Sequence, residues 1–262
     1  MANTDNLEDK KLLCVGLICL DVIHVCNSYP FEGTDQRIKK MTWQKGGNAA
    51  NTSAVLGLLG NKVDFLGVFP KDTKDLFQKS ACSFVRQEME RCGVGLEQMS
   101  LVGDSDLPYS SVVINDETGS RTILHCPGLL REVSFNFFQK LDLSAYSWIH
   151  FEGRNTEEVV KMICHVVKYN EGQDEANRVK MSVELEKPHR RNLPLLLPHA
   201  DLVLISQEYA RDSGYNNAPD TVKAFKDHVK SRCKTTRYNT LCLIDLHTLL
   251  NINVRFWYNT AI

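Results

Sequence analysis

Apolar runs of strand length alternate with helical stretches along most of this chain, and that alternation limits the folds open to it. Residues 12–20 (Leu-Leu-Cys-Val-Gly-Leu-Ile-Cys-Leu) are almost uninterrupted apolar sequence, which suits a strand buried on both faces. Residues 62–69, 146–151, 180–186 and 202–206 read as further strands. Between them, residues 48–59 predict a helix with Asn48 as N-cap and Gly60 just past its end. Residues 72–92 predict another, because Phe77, Ala81, Phe84, Val85 and Met89 recur at helical spacing before Gly93. Asn155 is placed to cap a helix reaching about residue 169, with Glu158 completing a capping box. Strands separated by helices predict an α/β fold: a mostly parallel sheet sandwiched by helices. Residues 37–44, a short polar strand, and the hairpin pattern of 110–115 and 121–125 around Asp-Glu-Thr-Gly-Ser do not fit that sheet. They are expected to form an appended β flap.

Charge narrows the function classes. Lys plus Arg (31) and Asp plus Glu (32) nearly cancel in 262 residues, so no nucleic-acid partner and no membrane surface is expected. The apolar stretch of residues 12–20 is too short to span a bilayer and lacks signal-peptide flanks. Nine cysteines without regular spacing favour a reduced, cytoplasmic chain over a disulfide framework. The eight histidines show no ligand spacing with the cysteines, so no metal site is read from them.

The most informative stretch is Gly46-Gly47-Asn48-Ala49-Ala50-Asn51. Paired glycines admit positive φ and let a ligand approach the backbone, and the helix that follows points N–H groups at the same place. Asn48 and Asn51 fall on one face of its first turn, and an amide both donates and accepts, as a sugar hydroxyl does. A tight turn with an Asn cap accounts for the same residues. Asp21 is expected at the carboxyl end of the first strand, where ligands of open α/β sheets bind. It also reads as a solvated strand-end acid.

Four segments taken together carry a resemblance: Leu13-Cys14-Val15-Gly16-Leu17 leading to Leu20-Asp21-Val22-Ile23, Trp43 to Asn51, Trp148 to Asn155, and Ser182 to Pro188. Over roughly residues 12–232 the chain resembles the ribokinase, or PfkB, carbohydrate kinase family, and within it the ketohexokinases. The resemblance implies a ribokinase-like domain over 11–232 with a small β lid, or clasp, from about 22–46 and 108–128. It implies fructose as substrate, phosphorylated to fructose 1-phosphate with ATP and Mg²⁺, and a homodimer formed through the lid. By residue-to-residue match, Asp21, Gly46, Gly47, Asn48 and Asn51 would hold the sugar. Arg121, Glu184 and Glu186 would lie near the ATP phosphates. A solvated hairpin Arg and a solvated strand edge remain open for those three. The family's N-x-x-E element reads Ser206-Gln207-Glu208-Tyr209 here, which argues against direct metal ligation from that loop.

Phosphoryl transfer needs a base for the hydroxyl and fixed donors for the moving charge. In the family both come from a late G-A-G-D motif, and the 262 residues contain none; the Gly103-Asp104 pair is far upstream. Residues 233–262 match no family segment, and the last βα units are expected to be missing. That tail could supply a substitute strand or helix, or have nothing to pack on, and its Asp245 is a poor candidate base. Activity is expected to be absent or strongly reduced. Three readings stay open: a fructokinase with an unrecognised base, a non-catalytic sugar-binding or lid-pairing subunit from a variant transcript that joins a full-length chain, and a poorly folded product.

Overall fold

The apolar run of residues 12–20 forms two strands, where one was expected. β1 (Lys11–Val15) ends at a bend around Gly16, and β2 (Cys19–Cys26) continues in a different sheet. The bend is tied on both sides: Gly16 N donates to Leu66 O at 3.0 Å, and Leu17 O accepts from Ala50 N at 3.3 Å. An apolar stretch alone does not reveal such a turn, because both halves are buried. The computed structural model describes residues 10–226 and 240–244 and divides into two compact units, Met1–Phe137 and Phe138–Ile262.

In the first unit, β3 (Lys40–Gly46) leads into α1 (Asn48–Leu58), followed by β4 (Val63–Leu66) and β5 (Val68–Pro70). Next come α2 (Leu76–Arg91), β6 (Val94–Gly95), β7 (Ser100–Val102), β8 (Tyr109–Asn115) and β9 (Arg121–Cys126). β1, β4 and β6 pair in parallel, and β5 and β7 form a separate parallel pair that the sequence pattern did not suggest. The flap is a four-stranded sheet in the order β3-β2-β8-β9. Its β2–β8 pairing is parallel and its outer pairings antiparallel. The expected hairpin is present as β8 and β9, but the polar strand expected at 37–44 runs from residue 40 to residue 46.

α2 starts later than the periodicity suggests because Asp75 caps it, accepting from Gln78 N at 2.8 Å. Ala81, Val85 and Met89 of its stripe are fully buried with Phe65 and Phe69. Side chains of Val or Met size contribute about 1.5–3 kcal/mol each when buried this way. Phe77 and Phe84 instead meet Trp43 of β3 edge-on at 5.7 Å, which fixes the lid sheet on the helix. α1 ends as expected, with Gly60 taking positive φ just past Leu59. Its start differs: Gly47, not Asn48, is the N-cap, so Asn48 is the first helical residue.

A single helical turn, α3 (Phe135–Phe138), follows in the chain. The second unit contains β10 (Tyr146–Glu152), α4 (Thr156–Asn170), β11 (Lys180–Leu185), β12 (Leu202–Ser206), α5 (Gln207–Asp212), α6 (Ala218–Lys226) and β13 (Thr240–Ile244). Its four strands pair in parallel in that order, burying Ile149, Phe151, Val183, Leu185, Val203 and Ile205 against Met162, Ile163 and Val166 of α4. Asn155 caps α4 in a left-handed conformation without a cap bond from its own side chain, and Glu158 pairs with Lys161. Of the alternatives for the tail, residues 240–244 take the strand, with Ile205 facing Leu243 and Ser206 facing Ile244 in register. Asp245 and the rest of the tail lie outside the described residues.

Candidate active site

The lid sheet and the start of α1 bring the sugar-site candidates together. Asp21 lies within β2, not at the end of the first strand, because the chain has already turned at Gly16. A Cβ on Gly46 would fall 2.4 Å from Asp21 Oδ2, so the carboxylate rests on a bare backbone. Gly47 has φ 95°, and a Cβ there would meet Leu17 O at 2.2 Å. Glycine is therefore required at both positions, first for contact and then for contact and backbone conformation together. Asn51 N donates to Gly47 O at 2.8 Å, which closes the first turn of α1 with Asn48 and Asn51 beside Asp21's neighbour Gly46.

Lys45 was not anticipated. It is only 7 % exposed, and its Nζ donates to Asn51 Oδ1 at 2.8 Å. Burial lowers its pKa from the ordinary lysine value, opposed by the field of Cys92, Glu88 and Asp21. Burial likewise raises Asp21, while hydrogen bonds from Ser110 and Cys19 and the charges of His125 and Lys45 pull it back. Cys19 Sγ stands 3.6 Å from Asp21 Oδ1, and Ser110 Oγ stands 3.1 Å from His125 Nδ1. Ser110 and His125 were also missed. Each is an ordinary strand residue until the register places it beside Asp21.

Arg121 opens β9, exposed, paired with Ile114. His125, in the row of Asp21, lies four residues further along the same strand, or about 13 Å at strand rise. The hairpin thus holds Arg121 well away from the sugar-site residues.

In the second unit, Glu184 is buried in β11 and pairs in register with Glu152, itself buried in β10. Arg154 Nη1 reaches Glu152 Oε1 at 3.1 Å, and Arg190 Nη1 lies 3.8 Å from the same oxygen while donating to Gly153 O at 2.8 Å. A Cβ on Gly153 would meet Glu184 O at 2.1 Å, so these two strand ends meet without a side chain between them. Glu186 lies just past the end of β11, where the strand was expected to include it, and pairs with Lys187 at 2.7 Å. Lys187 also lies 3.6 Å from the exposed Glu208. Ser206 Oγ donates to Glu186 O at 2.8 Å and accepts from Tyr209 N at 3.0 Å, so the Ser-Gln-Glu-Tyr segment starts α5.

A carboxylate, two amides and a buried cation suit a small polyhydroxy ligand. Residues 9–234 match the model of the pfkB family carbohydrate kinases. The chain belongs to that family. Among its curated relatives in this family is the ketohexokinase of Mus musculus, 37 % identical over 224 residues, which span 86 % of this chain and 72 % of the relative. The fold is shared with a ribokinase from Giardia lamblia at a TM-score of 0.65 and 15 % identity, over 82 % of this chain and 68 % of that one. It is shared equally with an Arabidopsis thaliana ribokinase complexed with ribose and ATP, at 0.61 and 16 %, over 82 % and 68 %. Among the described residues of this pfkB kinase, no helix is long and apolar enough to cross a membrane. The described cysteines are all thiols.

The described residues contain no group of three His, Cys, Asp or Glu side chains able to hold a metal. Magnesium ordinarily takes only one or two carboxylates and completes its shell with water and phosphate oxygens. Glu184 and Glu186 fit that habit, and so fit an ion that arrives with a nucleotide.

Proposed function

We propose that this pfkB kinase is built to phosphorylate fructose at its 1-hydroxyl, giving fructose 1-phosphate. The observation that carries the reading is the seating of Asp21 on Gly46 beside the first turn of α1. Asp21 accepts from a pair of sugar hydroxyls, the Gly46-Gly47 turn lets the ring come close, and Asn48 and Asn51 bind further hydroxyls. Likeness to the mouse ketohexokinase supports fructose over other sugars. Bound ATP with Mg²⁺ would supply the phosphoryl group. In the second unit, Glu184, Glu186 and Lys187 are the residues on offer for its phosphates and ion. Pairing of two lids, between copies of this chain or with a longer chain of the same kind, would cover the exposed Ile123 and Leu124 of β9.

A polypeptide of these 262 residues carries no Gly-Ala-Gly-Asp segment. Loss of one oxyanion donor alone costs about 10²–10³ in rate in other enzymes. The second reading is therefore a sugar-binding, lid-pairing subunit with little turnover of its own. Fructose- and ATP-dependent ADP release by the homogeneous chain separates the two. Thermal stabilisation by fructose, absent in Asp21→Ala, is expected under both; equal stabilisation of wild type and variant would overturn the sugar site.

A further inference from the structure

Four polar side chains cross the lid sheet in one row. Asp21 is the register partner of Gln44 on β3 and of Ser110 on β8, and Ser110 is the partner of His125 on β9. Directly paired residues project from the same face, so Gln44, Asp21, Ser110 and His125 stand side by side. The next row on that face, Thr42, Ile23, Val112 and Ile123, is mostly apolar. A polar row in such a place calls for a reason. Ser110 is buried, and its one hydroxyl hydrogen cannot serve two neighbours. Ser110 is the register neighbour of Asp21, and a carboxylate in its ionised form can only accept, so the hydroxyl is placed to donate to it. The Ser110 oxygen, 3.1 Å from His125 Nδ1, then accepts from that nitrogen in the tautomer protonated there.

We infer that Ser110 and His125 are positioning residues that hold the Asp21 carboxylate in one orientation for the sugar. In the arrangement we infer, His125 donates to Ser110, and Ser110 donates to Asp21. Cys19 Sγ, 3.6 Å from Asp21 Oδ1, adds a weak thiol donor. Asp21 therefore meets the sugar already oriented, and the ordering is not left to the ligand. The inference deepens the proposed sugar site and rests on it for the role of Asp21.

The test combines fructose titration by calorimetry with nitrogen NMR of the imidazoles, both on the full 262-residue chain. Ser110→Ala is expected to weaken fructose binding about tenfold, in the range for loss of a hydrogen bond to a charged group. Ser110→Thr, which keeps a hydroxyl, is expected to recover most of it. In the neutral ring, Nδ1 of His125 is expected to carry the proton, and both Ser110→Ala and Asp21→Asn to shift its signals. If Asp21→Asn leaves fructose binding unchanged, the sugar-site reading fails. If Asp21→Asn weakens binding but Ser110→Ala does not, only the positioning role fails. Should the chain bind no fructose at all, the NMR arm decides alone: a His125 ring indifferent to both substitutions overturns the inference.

Discussion

Gly46 and Asp21 are so close that position 46 cannot bear a side chain: its Cβ would fall 2.4 Å from Asp21 Oδ2. Gly46→Ala must push the carboxylate out of its seat or shift β3 against β2. Overpacking of this kind costs about 1–3 kcal/mol. Because the displaced group is the proposed sugar ligand, fructose affinity is expected to fall about tenfold or more. Urea unfolding measures the first effect and calorimetric titration the second.

Lys45 tests a different kind of contribution. Lys45→Met keeps the apolar stem but removes the ammonium that donates to Asn51 Oδ1. A buried charge is costly to desolvate, so its removal is expected to change global stability by less than about 1 kcal/mol. The Asn51 amide loses its fixed direction, and fructose binding is expected to weaken several-fold. A large drop in the urea midpoint with unchanged fructose affinity would show that Lys45 serves the fold alone.

His150 makes the second unit sensitive to acid. It is fully buried in β10, its Nδ1 lies 3.0 Å from Ser182 Oγ, and burial pulls its pKa down to about 4. The unfolded chain takes up that proton near pH 6.5, so between pH 6.5 and about 4 the unfolded state binds more protons than the folded one. This contribution is complete above pH 6.5 and is lost as pH falls toward 4. It amounts to about 3 kcal/mol. Urea unfolding of wild type at pH 7.5 and 5.0 should show the loss, and His150→Gln should flatten it.

Gly153→Ala probes the junction of β10 and β11. The new methyl would meet Glu184 O at 2.1 Å, which is backbone and cannot swing aside. Destabilisation of about 2–3 kcal/mol is expected, read as a lowered urea midpoint at pH 7.5. Gly103→Ala, where a Cβ meets nothing within 4 Å, serves as the control.

Much of the fold was legible because it is written in local periodicity. The stripe of α2, the end of α1 at Gly60 and the buried strands β11 and β12 follow from spacing and from residue types near each element. The split at Gly16 was not legible, since both halves of the run are equally apolar. Within the site, the Gly46-Gly47-Asn48 turn announced itself. Ser110 and His125 did not, because their relation to Asp21 is a matter of register between segments far apart in the chain. Lys45 was hidden by its type: lysine is rarely buried, and nothing local marks one that is.

The Lys45–Asn51 contact also settles which way round an amide faces. With Oδ1 engaged by an ammonium, Asn51 has only its Nδ2 hydrogens left to give. At that point the amide favours a ligand lone pair, since one of the two acceptor positions of Oδ1 is already taken. An analogue lacking an oxygen there would strand a polar group in a closed site, and discrimination against missing groups is steeper than against extra ones.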